Sequence, residues 1–182
     1  GPGYQTTDYA SWNGTGTASS TGGQQVAPNG YLAIGQAIFI KKTSTGSGTL
    51  SFKNSQREHD DGSQFFDPNP NDVQRVKLSL SHHSGLYNEI LIGFLDGATE
   101  GEDRLYDGLK LKGNPNIAFY SINQGNEYII QGHPRLTDQS FSFPLGVDVG
   151  LDGKFSIEMI KTELLPGGTE IYLEDLEKEK RI

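Results

Sequence analysis

The sequence contains no cysteine among its 182 residues, which excludes disulfides, cysteine-ligated zinc and thiol catalysis. It has no apolar stretch near the roughly 20 residues that a membrane-spanning helix needs, so insertion into a bilayer is not expected. Positive charge is scarce: 15 Lys and Arg stand against 23 Asp and Glu, a formal charge of −8. A phosphate-binding face needs clustered cations, so nucleic acid is not an expected partner, whereas divalent cations remain compatible. Gly-x-Ser-x-Gly, a Walker loop and His-Glu-x-x-His are all missing. With no spacing that singles out a catalytic carboxylate pair either, the chain is not expected to be an enzyme.

Glycine is plentiful, 24 residues that punctuate short alternating runs. The opening Gly1-Pro2-Gly3 reads as a scar left by a processing protease. Residues 4–30 are rich in Gly, Ser and Thr, and ordering such a run costs more entropy than its burial returns. Residues 1–27 are therefore expected to be scar and loop-rich lead-in, pinned to the body by Tyr9 and Trp12. Residues 28–182 are expected to form one domain, a length that suffices for a single core.

Within that domain, residues 31–42 are apolar enough for a central strand, with Ile38 and Ile40 on one face and Phe39 on the other. Residues 49–54 alternate Leu50 and Phe52 with Thr49, Ser51 and Lys53, the pattern of a half-buried strand. Pro68 and Pro70 make residues 56–72 a loop. Further strands are expected at 73–82, 88–95, 117–122, 127–132, 139–150, 154–160 and 169–177. Asp152-Gly153 is the strongest hairpin signal, because a type I′ turn needs positive φ at both central positions. About nine or ten short strands with no sustained helical period predict an all-β chain, a single antiparallel β-sandwich of jelly-roll-like form.

The chemistry concentrates in residues 93–113, where Asp96, Glu100, Glu102, Asp103 and Asp107 crowd a glycine-rich connection, with Glu89 just upstream. Calcium takes roughly six to eight oxygens, and Asp/Gly-rich loops between strands supply them. Asp96, Glu100, Asp103 and Asp107 are the candidate ligands, and calcium the candidate cofactor. The register of an EF-hand is absent, so the competing reading is a solvated crossover with turns at Asp96-Gly97 and Asp107-Gly108, anchored by Tyr106. For a sugar ligand the candidate platforms are Trp12, Tyr87 and Tyr106, with Tyr120, Tyr128 and the pair Phe65-Phe66 behind them. Trp12 also fits a plug that clasps the N-terminal segment. His59, His82, His83 and His133 are scattered. On a regular strand His82 and His83 would point to opposite faces and could not share a metal.

Residues 28–57, "PNGYLAIGQAIFIKKTSTGSGTLSFKNSQR", resemble a strand–turn–strand and Asn-Ser-x-Arg sequence near the ends of large Bacteroidetes surface proteins. "RVKLSLSH", "NEILIGFLDGATEGEDRLYDGLKLKG", "AFYSI", "YIIQG", "FPLGVDV" and "IYLED" are similar to later segments of that family, in the same order. The resemblance spans residues 28–176. Ala37 stands where a glycine is usual, and His82-His83 where Asn or Ser is more typical. The resemblance implies a β-sandwich module preceding the C-terminal sorting domain of type IX secretion cargo and adhesin-like proteins. Its implied setting is secreted or cell-surface, with other domains of the same polypeptide and the secretion machinery as partners. It implies a non-catalytic structural or adhesive role, the alternative being a carbohydrate-binding module with a glycan as ligand. In that family the "YLED" strand precedes a turn and a return strand, while this chain stops at Ile182. An unpaired C-terminal edge open to strand exchange is the expectation.

Overall fold

A computed structural model describes residues 10–13, 15–19, 32, 38, 40, 42, 45–57, 72–137 and 139–182. The strands are β1 (Ser11–Asn13), β2 (Gly16–Ala18), β3 (Gln74–His82), β4 (Tyr87–Phe94), β5 (Gly108–Leu109), β6 (Ile117–Asn123), β7 (Asn126–His133), β8 (Leu145–Val149), β9 (Phe155–Glu163), β10 (Glu174–Asp175) and β11 (Lys180–Arg181). A 3-10 turn, Asn54–Gln56, lies among them. The chain is all-β. A seven-stranded sheet runs β8-β6-β7-β4-β3-β9 with β5 attached to β7, and β1–β2 and β10–β11 are separate two-stranded sheets.

Pairing is antiparallel throughout except between β4 and β7, which run parallel over Leu91–Phe94 and Ile130–His133. The sheet is therefore mixed. Parallel neighbours need a crossover between them, and the chain from Leu95 to Asn126 supplies it, carrying the acidic segment, β5 and β6.

Alternation explains which side chains are inside. Leu80, Ile90, Ile117 and Phe119 form one core cluster, with Leu78, Leu86, Leu145 and Phe155 packed around it. Val76, Ile92 and Phe94 extend it under Leu136, Phe141, Phe143 and Leu165. Full burial of a side chain such as Phe119 contributes about 1.5–3 kcal/mol. The opposite face of β4 carries Leu91, which packs with Ala18, Ile129 and Ile130. This is where the lead-in departs from a plain loop: β1 and β2 pair antiparallel and sit on the sheet, with Thr15 and Ala18 fully buried.

Three local expectations are corrected. Asp152-Gly153 does not close a hairpin, because β8 pairs with β6 and β9 with β3, at opposite ends of the sheet. Gly153 does have φ 140°, but its turn packs over His82 and His83 instead. The two-residue turn with positive φ at both positions is Gln124-Gly125 (50° and 80°), joining β6 to β7. At the C-terminus the return strand is present as β11. Asp175 Oδ1 accepts the Glu177 and Lys178 amides at 3.1 Å, and Leu173 and Ile182 exchange backbone bonds. Residues 49–53 are described and lie outside every strand, with Leu50 and Phe52 exposed, while most of 31–42 falls outside the described residues.

Gly93 and Gly132 are partners in the parallel pair. A Cβ on Gly93 would stand 2.1 Å from Thr15 Cγ2, and one on Gly132 2.5 Å from Tyr106 Cβ. Gly93→Ala is expected to lift the N-terminal hairpin and lower unfolding free energy by about 1–3 kcal/mol in urea denaturation, as overpacking does. An unchanged midpoint would show that the hairpin is not seated there.

Candidate functional site

The acidic segment turns out to be bonded to its own backbone. Asp107 Oδ1 accepts the Gly132 amide at 2.7 Å and Oδ2 the Asp103 amide at 2.6 Å. Asp103 Oδ2 in turn accepts the Thr99 amide at 2.5 Å. Burial pushes the Asp107 carboxyl above its usual range; the two amides oppose this, and the charges of Asp103 and Glu102 add to it. Asp96 is exposed and lies 3.4 Å from Arg135 Nε, while Arg135 Nη2 sits 2.8 Å from Asp72. Glu100 contributes its backbone oxygen, accepting Asn123 Nδ2 at 2.9 Å, and Glu102 accepts Asn126 Nδ2 at 3.4 Å. Glu89 serves the hairpin, accepting the Ser19 amide at 3.0 Å with Lys77 Nζ 3.6 Å away. Among the described residues no three His, Asp or Glu side chains converge on one metal position.

The aromatic candidates are dispersed. Trp12 on β1 is 39% exposed. Tyr106 packs against Val73, Leu95 and Ala98, and its backbone oxygen accepts Asn13 Nδ2 and Thr15 Oγ1, both at 2.8 Å. Tyr87 begins β4, while Tyr106 lies over Gly132, the partner of Gly93 near the far end of that strand. At about 3.3 Å per residue, Tyr87 and Tyr106 are roughly 20 Å apart along the sheet. They cannot share one sugar ring. Tyr120 and Tyr128 are buried. His82 ends β3 and His83 is already in the turn, so the pair escapes the opposite-face rule and the rings approach to 4.0 Å. Phe65-Phe66 and His59 lie outside the described residues.

Two lysines without an assigned role in the sequence reading prove central. Lys112 Nζ is 2.7 Å from both Glu127 and Asp148 and 4.8 Å above the Tyr120 ring, and Tyr120 Oη donates to Asp148 at 3.1 Å. This cluster ties the β5–β6 connection to β7 and β8. The bond from Lys112 holds the Asp148 carboxyl below its usual range. Lys110 goes inward instead. Its Nζ donates to Asn88 Oδ1, which also accepts the Phe119 amide at 3.2 Å. Asn88 is buried, and burial lowers Lys110 to about 8, with the Glu127 charge opposing. The signal was present, two lysines alternating with Leu109 and Leu111, yet nothing in the spacing says which one turns inward.

The model of a family described as a domain of unknown function, DUF8693, matches residues 1–180, and the chain belongs to that family. No curated protein and no solved structure matches it.

Removing the Asp107 carboxylate leaves two backbone amides unsatisfied. Asp107→Ala is expected to cost roughly 1–3 kcal/mol in urea unfolding, and added calcium is expected to leave the melting temperature of the wild type unchanged. A calcium-dependent rise of several degrees would instead assign the loop to a metal. His133, buried against Phe94, Phe141 and Phe143, is held below its ordinary 6.5 by desolvation. Its contribution to stability is full above 6.5 and is lost as pH falls through the depressed folded value. The urea midpoint should drop as pH falls below about 6.5, and His133→Leu should flatten that drop. An equal drop in both proteins would place the titration elsewhere.

Proposed function

We propose that this member of the DUF8693 family is a non-catalytic structural or adhesive module of an exported, cell-surface protein, where it holds or presents neighbouring domains of the same polypeptide. One observation carries the reading: the apolar face of the main sheet continues past its covered centre. Val147 and Val149 on β8 pair with Phe119 and Ile117 of the core. Ile157 and Met159 on β9 pair with Leu80 and Leu78. Cross-strand partners share a face. Their partners are in or against the core, yet Val147 and Val149 are each 46% exposed, Ile157 37% and Met159 52%. Among the described residues β8 and β9 also end the strand order, and β9 is 9 residues long. A long apolar edge strand is a surface for strand addition. A neighbouring β-domain that covers it would complete a jelly-roll-like sandwich.

The type IX secretion setting rests on the sequence resemblance, and cell fractionation tests it: the natural full-length protein should appear at the surface or in the medium. Retention in the cytoplasm would overturn that setting. The carbohydrate-binding alternative keeps one support, the exposed Trp12 on an ordered strand. A glycan array with wild type and Trp12→Ala decides it; binding that is lost in the variant would favour the sugar reading.

For the edge itself, the chain linked to its neighbouring domains is expected to melt several degrees above the chain alone. Ile157→Lys with Met159→Lys should abolish that gain while leaving the isolated chain's melting temperature nearly unchanged. A gain that survives both charges would remove β9 from the interface.

A further inference from the structure

A partly buried ammonium with one neutral acceptor is a costly arrangement, because a lysine headgroup carries three donors that water would otherwise satisfy. Among the described residues the hydrogen-bond acceptor of Lys110 Nζ is Asn88 Oδ1. Asn88 is 4% exposed, the cross-strand partner of Leu80 and the neighbour of Ile90 on the core face. Its carboxamide is held on both sides: Oδ1 accepts the Phe119 amide at 3.2 Å, and Nδ2 donates to the Tyr87 carbonyl at 3.2 Å. An amine thus hydrogen-bonds an amide carbonyl to which a backbone N–H also donates, on a residue paired with Leu80 of the core.

We propose that Lys110 and Asn88 become joined by an intramolecular isopeptide bond that staples β4 to the connection between β5 and β6. The neutral Lys110 amine attacks Asn88 Cγ. The Nζ–Cγ bond forms while the carbonyl electron pair moves onto Oδ1, where the Phe119 amide stabilises the developing charge. A proton passes from Nζ to Nδ2, the Cγ–Nδ2 bond breaks, and ammonia leaves. The step is redox-neutral and needs no cofactor. The charges that reach the ammonium are Glu127 on β7, which favours it, and Lys112 two residues on, which disfavours it. Glu127 is engaged by Lys112 at 2.7 Å, so the ammonium proton is lost to solvent. A group titrating near 8 gives a substantial neutral fraction at mildly alkaline pH.

Intact-mass spectrometry of the denatured full chain tests this. The expected mass is one ammonia below the sequence mass, with a branched tryptic peptide joining the segment that contains Asn88 to the one that contains Lys110. Freshly folded protein should convert faster as pH rises through about 8. Lys110→Met and Asn88→Ala should each restore the full sequence mass. Full sequence mass in folded wild type after prolonged incubation at alkaline pH overturns the proposal, and that outcome does not depend on a variant folding. So does an ammonia loss without the branched peptide, for example as a cyclic imide at Asn13-Gly14.

Discussion

Where β4 and β7 lie side by side in parallel, Gly93 and Gly132 stand opposite each other, and everything packed on that part of the sheet depends on two missing side chains. Thr15 of the N-terminal hairpin occupies the space over Gly93, and Tyr106 of the acidic crossover occupies the space over Gly132. Because the glycines are neighbours, the two visitors are neighbours too. Thr15 Oγ1 and Asn13 Nδ2 both donate to the Tyr106 carbonyl. A bare patch two residues wide thus fixes the hairpin and the crossover against the sheet and against each other. The parallel pairing is what requires a crossover at all.

That geometry gives the acidic segment its physical role. A crossover of this length leaves many backbone amides away from any ladder, and each buried one needs an acceptor. Asp103 and Asp107 supply them locally, and Asp107 reaches across to the edge of β7 as well. Clustered carboxylates would ordinarily repel, and the Asp107 carboxyl is raised above its usual range by burial first and by the Asp103 and Glu102 charges after it. The cost is offset by amides that point at the carboxylates, while Asp96 is paired separately with Arg135, which also holds Asp72.

The legible part of this fold was the part that alternation controls. Residues 73–82, 88–95, 117–122 and 127–132 each fall within a residue of an observed strand, since period-two apolar spacing is imposed by the sheet itself. Pairing was not legible. Asp152-Gly153 is the stronger turn sequence, yet Gln124-Gly125 closes the hairpin, because β8 and β9 lie at opposite ends of the sheet and the chain between them crosses from one end to the other. The hairpin at 11–18 was hidden by composition: Gly, Ser and Thr look like entropy, but Thr15 and Gly16 are small for a packing reason, the close approach to Gly93 and Leu91. At the site, the crossover with its Tyr106 anchor could be anticipated from residue types. The inward turn of Lys110 could not, because it follows from the place where β6 passes Asn88.

The distribution of polar groups between centre and rim separates two kinds of stability. Around Asn88, Lys110 and the Lys112–Glu127–Asp148 cluster, polar side chains link β4, β6, β7 and β8 through bonds that bridge non-adjacent stretches of chain. At the rim, β9 has apolar side chains on both faces, Ile157 and Met159 on one and Ile160 on the other, and among the described residues its ion pairs are confined to the Arg75–Glu163–Lys161 group at one end. Local opening free energies follow such differences, being highest where contacts cross the sheet and lowest at uncovered edges. Polar bonds thus knit β8, through Asp148, to β6 and β7, whereas β9 at the other end of the sheet is held mainly by its ladder to β3.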